Sequence, residues 1–219
     1  MKLYKTDIAD CNAHVQACPD NFLRAAFFVL ATIQQQLETV PVAVSSFETS
    51  GNASRFAWGC KKRGIDYLNA NFETLHTDAI NCKTSPCELM AVFLRVPGLG
   101  LVKAGFLCQI FSGLVGCIDS HNIKLYKIPL SALRLTKKEK PETQARKIAE
   151  YVSLCDGLGG AVFLWSAWCN FVAALRPNNW DNGAAVSRFH FDVISGTETG
   201  AIVDLFTGIE YAPRFERAA

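Results

Sequence analysis

The sequence contains no C-x-x-C pair. Its nine cysteines are scattered at Cys11, Cys18, Cys60, Cys82, Cys87, Cys108, Cys117, Cys155 and Cys169. That spacing indicates neither a zinc ribbon nor an iron–sulfur loop, and an odd count is better explained by reduced, mostly buried thiols than by a disulfide framework. Net charge is also scarce, at +2 over 219 residues, so the chain is not a polybasic tail protein, although a local basic patch remains open. No long apolar run interrupts it. The longest, Gly159 to Leu175, carries Ser166 and Asn170 and is short for a bilayer, so it reads as a buried core helix. The opening MKLYKTDIADCNAHVQ lacks the apolar heart of a secretory signal, and a cytoplasmic location is expected, with no membrane partner. What is abundant is hydrophobicity: 50% of residues, enough for one well-buried core or two small interlocked lobes of a single domain over residues 1–219.

The pattern is helical. Phe22, Ala26, Val29, Leu30, Ile33 and Leu37 recur at three- and four-residue steps and predict one helix ending before Pro41, with Gln34, Gln35 and Gln36 near its end. The polar SSFETSGNAS reads as a loop. Ser85-Pro86-Cys87-Glu88 reads as a helix start, with Ser as cap, Pro at the first position and Glu answering the cap. That helix should run through ELMAVFLRV towards Pro97, and a second, apolar nearly all round, from Leu101 to about Phe111. KKEKPETQ is a solvated linker, after which Pro141 opens an amphipathic helix with Ile148 and Val152 on one face. Beyond Arg176 the pattern weakens, and VSRFHFDVI alternates briefly. The expected class is all-α.

Between the two apolar helices stands Pro97-Gly98-Leu99-Gly100, a helix–hairpin–helix connection over residues 86–111. Its glycines permit positive φ and clear side chains from the outer face of the turn. Exposed amides at a helix start suit an anion, and a phosphate is the natural guest. Arg95 and Lys103 flank the turn and would add charge to the same phosphates. Taken alone, a Pro-Gly turn joins helices in many proteins that bind nothing there.

LRVPGLGLVKAGFLCQ followed by GCIDSHN resembles the hairpin and catalytic-aspartate signature of the endonuclease III superfamily of DNA glycosylases. Val96 to Gly100 fills the hairpin, Ala104 falls on the small packing position, and Asp119, Ser120 and His121 fall on the aspartate and the two residues after it, within a segment spanning 116–126. The resemblance covers about residues 85 to 126. It implies a two-lobed helical fold of the HhH-GPD type, a double-stranded DNA partner, a flipped base and Asp119 as the catalytic acid. Two departures stand out. Members that also cleave the backbone carry a lysine two residues after the second hairpin glycine. Here Val102 occupies that place and Lys103 follows one step, about 100° around the helix, which puts lyase chemistry in doubt. The family's iron–sulfur loop is missing too. No metal or cofactor is expected, although a cation at the hairpin stays open.

On its own, Asp119 is a plain N-cap, worth about 1 kcal/mol to the helix it opens. With the resemblance, the cap also holds a carboxylate where it can stabilise an oxocarbenium-like sugar or align attacking water as an N-glycosidic bond breaks. Such chemistry requires the nucleotide to leave the stack. Gln34, Trp58 and His121 are the candidates for the base pocket or the wedge that fills the gap. Lys61, Lys62 and Arg63 are a wet charged face or phosphate contacts, and Trp165 and Trp168 are read as core.

Three functions follow. The first is a monofunctional DNA glycosylase removing a damaged or modified base. The second is a transferase on the same scaffold: some bacteriophage proteins resembling this superfamily are linked to thymine hypermodification, in which an amine displaces pyrophosphate from an activated 5-hydroxymethyl group. The third is a non-catalytic hairpin module. The first is preferred, acting as a monomer, in the host cytoplasm if the protein is viral.

Overall fold

The computed structural model describes residues 2–136 and 139–197. All regular structure among them is helical: α1 (Lys5–Ala17), α2 (Pro19–Ala31), α3 (Val40–Ser50), α4 (Cys60–Asn81), α5 (Pro86–Phe93), α6 (Leu101–Ser112), α7 (Ser120–Leu125), α8 (Pro141–Gly157), α9 (Gly160–Leu175) and α10 (Gly183–Ser195), with short 3₁₀ turns between some of them. The fold is therefore all-α, as the periodicity leads one to expect.

Helix α2 is the central post. Pro19 sits in its first turn, where a missing N–H costs nothing. Its residues Ala25 through Ala31 are all buried, because α1, α3, α4, α6 and α10 pack around it. The apolar α6 is buried in the same way between α1, α2 and α5. Phe22 of α2, Phe93 of α5 and Phe111 of α6 form a triangle with ring centroids 5.6 to 6.0 Å apart. Each such pair adds about 0.5–1.5 kcal/mol beyond its buried area. The core is one continuous cluster that includes residues of nine helices, from Ile8 of α1 to Ile194 of α10.

Several boundaries differ from the sequence reading. The stripe from Phe22 to Leu37 is not one helix. Helix α2 stops at Ala31, Gln34 turns with φ of 52°, and α3 starts at Val40 with Pro41 in its first turn rather than beyond a helix end. Proline is a start signal there, not a stop. Most of SSFETSGNAS is helical in α3, because Val40, Ala43, Val44 and Phe47 give it a buried face. Ser85 does precede α5, but its side chain makes no capping bond, and α5 ends at Phe93, before the turn that leads to Pro97. VSRFHFDVI is helical: Asn182 caps α10 by accepting from the amides of Ala184 and Ala185, and Val186, Phe189, His190, Val193 and Ile194 face inward. The far part of the C-terminal segment 177–219, residues 198–219, lies outside the described residues, as do two residues of KKEKPETQ.

Among the described residues no single helix is long and apolar enough to cross a membrane; α8 and α9 pass such a test only as a pair, and they are bent by 66°.

Candidate functional site

The hairpin forms as a tight crossing. The amide of Leu99 donates to the carbonyl of Val96, Gly98 adopts φ of 98°, and Gly100 leads into α6 with the amide of Ala104 bonded to its carbonyl at 2.9 Å. Gly98 and Gly100 are exposed while Leu99 is buried, so the turn shows backbone outward and plugs the core with its one large side chain. No side chain caps α6, which leaves its first amides for an outside partner. Beneath the turn, α4 comes close enough that a Cβ on Gly64 would lie 2.6 Å from the carbonyl oxygen of Pro97.

The charges near the turn are arranged differently from the expectation. Arg95 pairs with Asp78 at 2.5 Å, with both side chains partly exposed. Lys103 does not face the turn's outer surface. Its Nζ donates to Thr32 Oγ1 at 2.7 Å, and burial drives its pKa down against the opposing pull of Cys117 and Asp119. Nor is Lys61 on a wet face. It is fully buried, donates to the carbonyl of Ala31 at 3.3 Å, lies against Trp58, and has its pKa lowered by burial to about 8.

Lys103 and Asp119 both line a cavity of about 460 Å³. Helix α6 contributes Val102, Lys103, Phe106 and Gln109. The connection after α2 contributes Thr32 and Gln34 to Leu37, and the segment entering α7 contributes Cys117 and Asp119 to His121. Trp165, Trp168 and Arg176 come from α9 and its end, and His190 from α10. The one-step offset of the lysine thus leaves it on the cavity wall, beside Val102 rather than turned away.

Asp119 is the N-cap of α7. Its Oδ1 accepts from the amides of His121 at 3.0 Å and Asn122 at 2.9 Å. The other carboxylate oxygen takes no hydrogen bond from the described residues. The three residues before it are fixed from three sides. Tyr151 of α8 donates to the carbonyl of Gly116 and accepts from the amide of Ile118, at 3.0 and 3.1 Å. Buried Gln109 accepts from the amide of Cys117 and donates to the carbonyl of Ala161. Cys155 Sγ lies 3.2 Å from the same Gly116 carbonyl, and burial raises its thiol pKa to about 12, so it stays protonated. A Cβ on Gly116 would lie 2.6 Å from the Leu164 side chain and 3.2 Å from the Ala161 backbone, so glycine eases the close approach of this segment to α9.

The other candidates divide. Gln34 is on the cavity rim in a left-handed backbone conformation that non-glycine residues rarely adopt. His121 is exposed at the rim, its ring 4.3 Å from that of Phe171. Trp58 is not among the lining residues and packs on Lys61 instead. Arg176 forms an ion pair with Glu38, tying the end of α9 to the connection that carries Gln34.

Sequence reasoning missed the aromatic end of the cavity. Trp165 and Trp168 belong both to the core and to the cavity wall, so core and site are not alternatives for them. The signal was the spacing of Leu164, Trp165, Trp168, Val172 and Leu175 along one face of α9, all of which line the cavity. Among the described residues no group of histidine, cysteine, aspartate and glutamate is arranged to hold a metal.

Comparison of the chain with protein-family models, curated proteins and solved structures finds no match.

Proposed function

We propose that this protein binds duplex DNA through the Pro97–Gly100 hairpin, receives a flipped modified or damaged base in the 460 Å³ cavity, and cleaves its N-glycosidic bond with Asp119. One observation carries the reading: the aspartate that follows the hairpin in the sequence signature opens, with one carboxylate oxygen uncommitted, onto a cavity walled by aromatic rings. The volume lies within the range of small-molecule sites. Bond cleavage leaves positive charge on the sugar, and a carboxylate fixed by two backbone amides opposes that charge without having to reorganise. Gln34, held in an unusual backbone conformation at the rim, is the candidate to enter the space the base vacates.

A second reading is favoured by the position of Lys103. An amine on the same cavity wall as Asp119 would suit a base carrying an anionic substituent, such as an activated 5-hydroxymethyl pyrimidine on which an amine displaces pyrophosphate. In that case the glycosidic bond survives and Asp119 deprotonates the incoming amine. The third reading, a hairpin module without chemistry, leaves the cavity unexplained.

Mass spectrometry of duplexes bearing a panel of modified bases, including pyrophosphorylated 5-hydroxymethyluracil supplied with amino acids, separates the three. Free base and an abasic strand are expected. A heavier, intact strand would establish transfer instead, and an unchanged strand across the panel would leave only the binding module.

A further inference from the structure

Among the described residues that line the cavity, His190 carries a buried hydrogen-bonding atom without a partner. His190 is 1% exposed and lies among the rings of Trp168, Trp165, Phe28 and Phe189, at centroid distances of 4.9 to 5.8 Å. Its Nδ1 is 2.6 Å from the carbonyl of Val186, one turn back on its own helix. A carbonyl can only accept, so Nδ1 carries the hydrogen and Nε2 presents a lone pair. Burial lowers the pKa of the ring to about 4, which keeps it neutral near pH 7. Nε2 is buried and has no hydrogen-bond partner among the described residues. An orphaned acceptor of this kind costs free energy that an incoming donor would recover.

The neighbouring polar groups are already committed. Trp165 Nε1 donates to Ser187 at 2.7 Å, and the Gln109 amide is used at both ends. Lys103 gives one donor to Thr32 and has only further donors to offer, so it supplies no acceptor. The aromatic end therefore offers flat apolar faces and a single acceptor.

We infer that His190 is the specificity residue of this cavity: a neutral nucleobase stacking against Trp165 and Trp168 parts the rings that cover Nε2, and that nitrogen accepts a hydrogen bond from an N–H of the base. The inference rests on the reading of the cavity as a base pocket. A base with an imide or exocyclic N–H fits, and one whose donor is replaced by methyl leaves Nε2 unpaired and sets a methyl group against it. Sites built around a buried hydrogen bond discriminate strongly against a ligand that lacks it.

The test uses the full chain and two matched pairs of free bases: 1-methylthymine against 1,3-dimethylthymine, and 9-methyladenine against its N6,N6-dimethyl form. Quenching of tryptophan fluorescence reads the binding. In at least one pair the N–H member should bind tenfold or more tightly than its methylated partner. His190→Phe, checked for folding by thermal melt, should abolish that preference while still binding the methylated base. Equal affinities within both pairs for the wild-type protein would overturn the role of His190 and leave the base pocket standing. No binding of any of the four would overturn the pocket reading and this inference together. The wild-type pairs decide the matter even if the variant does not fold. A variant that folds and keeps the preference would also overturn it.

Discussion

Tyr151 accepts a hydrogen bond from the amide of Ile118 at 3.1 Å, one residue ahead of Asp119, while its own hydroxyl donates to the carbonyl of Gly116. One buried phenol on α8 thus sets the path of the backbone that delivers the candidate acid. Tyr151→Phe removes both bonds, leaving the Ile118 amide unpaired and the Gly116 carbonyl with only the Cys155 thiol, at a cost of about 1–3 kcal/mol in stability. A drop of at least tenfold in kcat with duplex affinity unchanged is expected, because the tyrosine positions the acid and touches no DNA. Gly105→Ala should act in the same direction, since its Cβ would lie 2.6 Å from the phenolic oxygen. Urea denaturation and single-turnover kinetics on the two variants check both parts.

The hairpin glycines should separate by effect. Gly100 has open space where a Cβ would stand and an extended backbone, so Gly100→Asp is tolerated by the fold but sets a negative charge where a phosphate would dock. Affinity for duplex DNA should fall at least tenfold with little change in Tm. Gly98 has φ of 98° and Cys60 within 3.2 Å of a Cβ, so Gly98→Ala should destabilise the protein by about 1–3 kcal/mol. Fluorescence anisotropy with a labelled duplex, alongside thermal melts, distinguishes the two.

Lys103 is the cation that the cavity buries. Lys103→Met should cut turnover at least tenfold while stability holds or rises, because a desolvated ammonium is replaced by an apolar chain of similar reach. A surface phosphate contact would behave in the opposite way, with weaker binding and a shallower salt dependence but unchanged turnover on bound DNA. Measuring affinity against salt together with single-turnover rate assigns the residue to one location.

Two buried groups give pH signatures of opposite placement. His190 has a folded pKa near 4, below its ordinary value, so between about pH 6.5 and 4 the unfolded chain takes up a proton that the folded chain refuses. Stability falls as pH drops through that window, by about 2–3 kcal/mol from this group at pH 4.5. His190→Phe should lose that part of the acid sensitivity. Lys61, lowered to about 8, is still protonated in the unfolded chain up to its ordinary value near 10.5. The wild type should therefore gain stability relative to Lys61→Met as pH rises from 8 to 10.5. Comparison with the variant is needed because the buried cysteines, raised in pKa, pull the other way over the same range.

The all-helical class, the hairpin and the capped Asp119 were legible because each is written locally: apolar spacing, Pro-Gly punctuation, an acid ahead of a helix. The α2–α3 break was not, since Ile33 and Leu37 continue the apolar spacing of α2 even though the chain turns at Gln34. Lys61 and Lys103 misled for a different reason. A lysine in sequence carries no mark of burial, and both are placed by long-range neighbours, Ala31 and Thr32, at the end of α2. The aromatic end of the cavity was hidden because a helix face that lines a void and one that lines a core have the same spacing. His190 fell in a stretch whose brief alternation masked a capped helix.

The central claim is that Asp119 performs chemistry on a base held in the cavity. The most direct test is Asp119→Asn, which keeps the size of the cap and an acceptor oxygen but removes the charge. On the duplex that the wild type processes, the variant should bind within about threefold of wild type and release no base, with its folding intact by melt. Full activity in the folded variant would contradict the account and return Asp119 to the role of a helix cap.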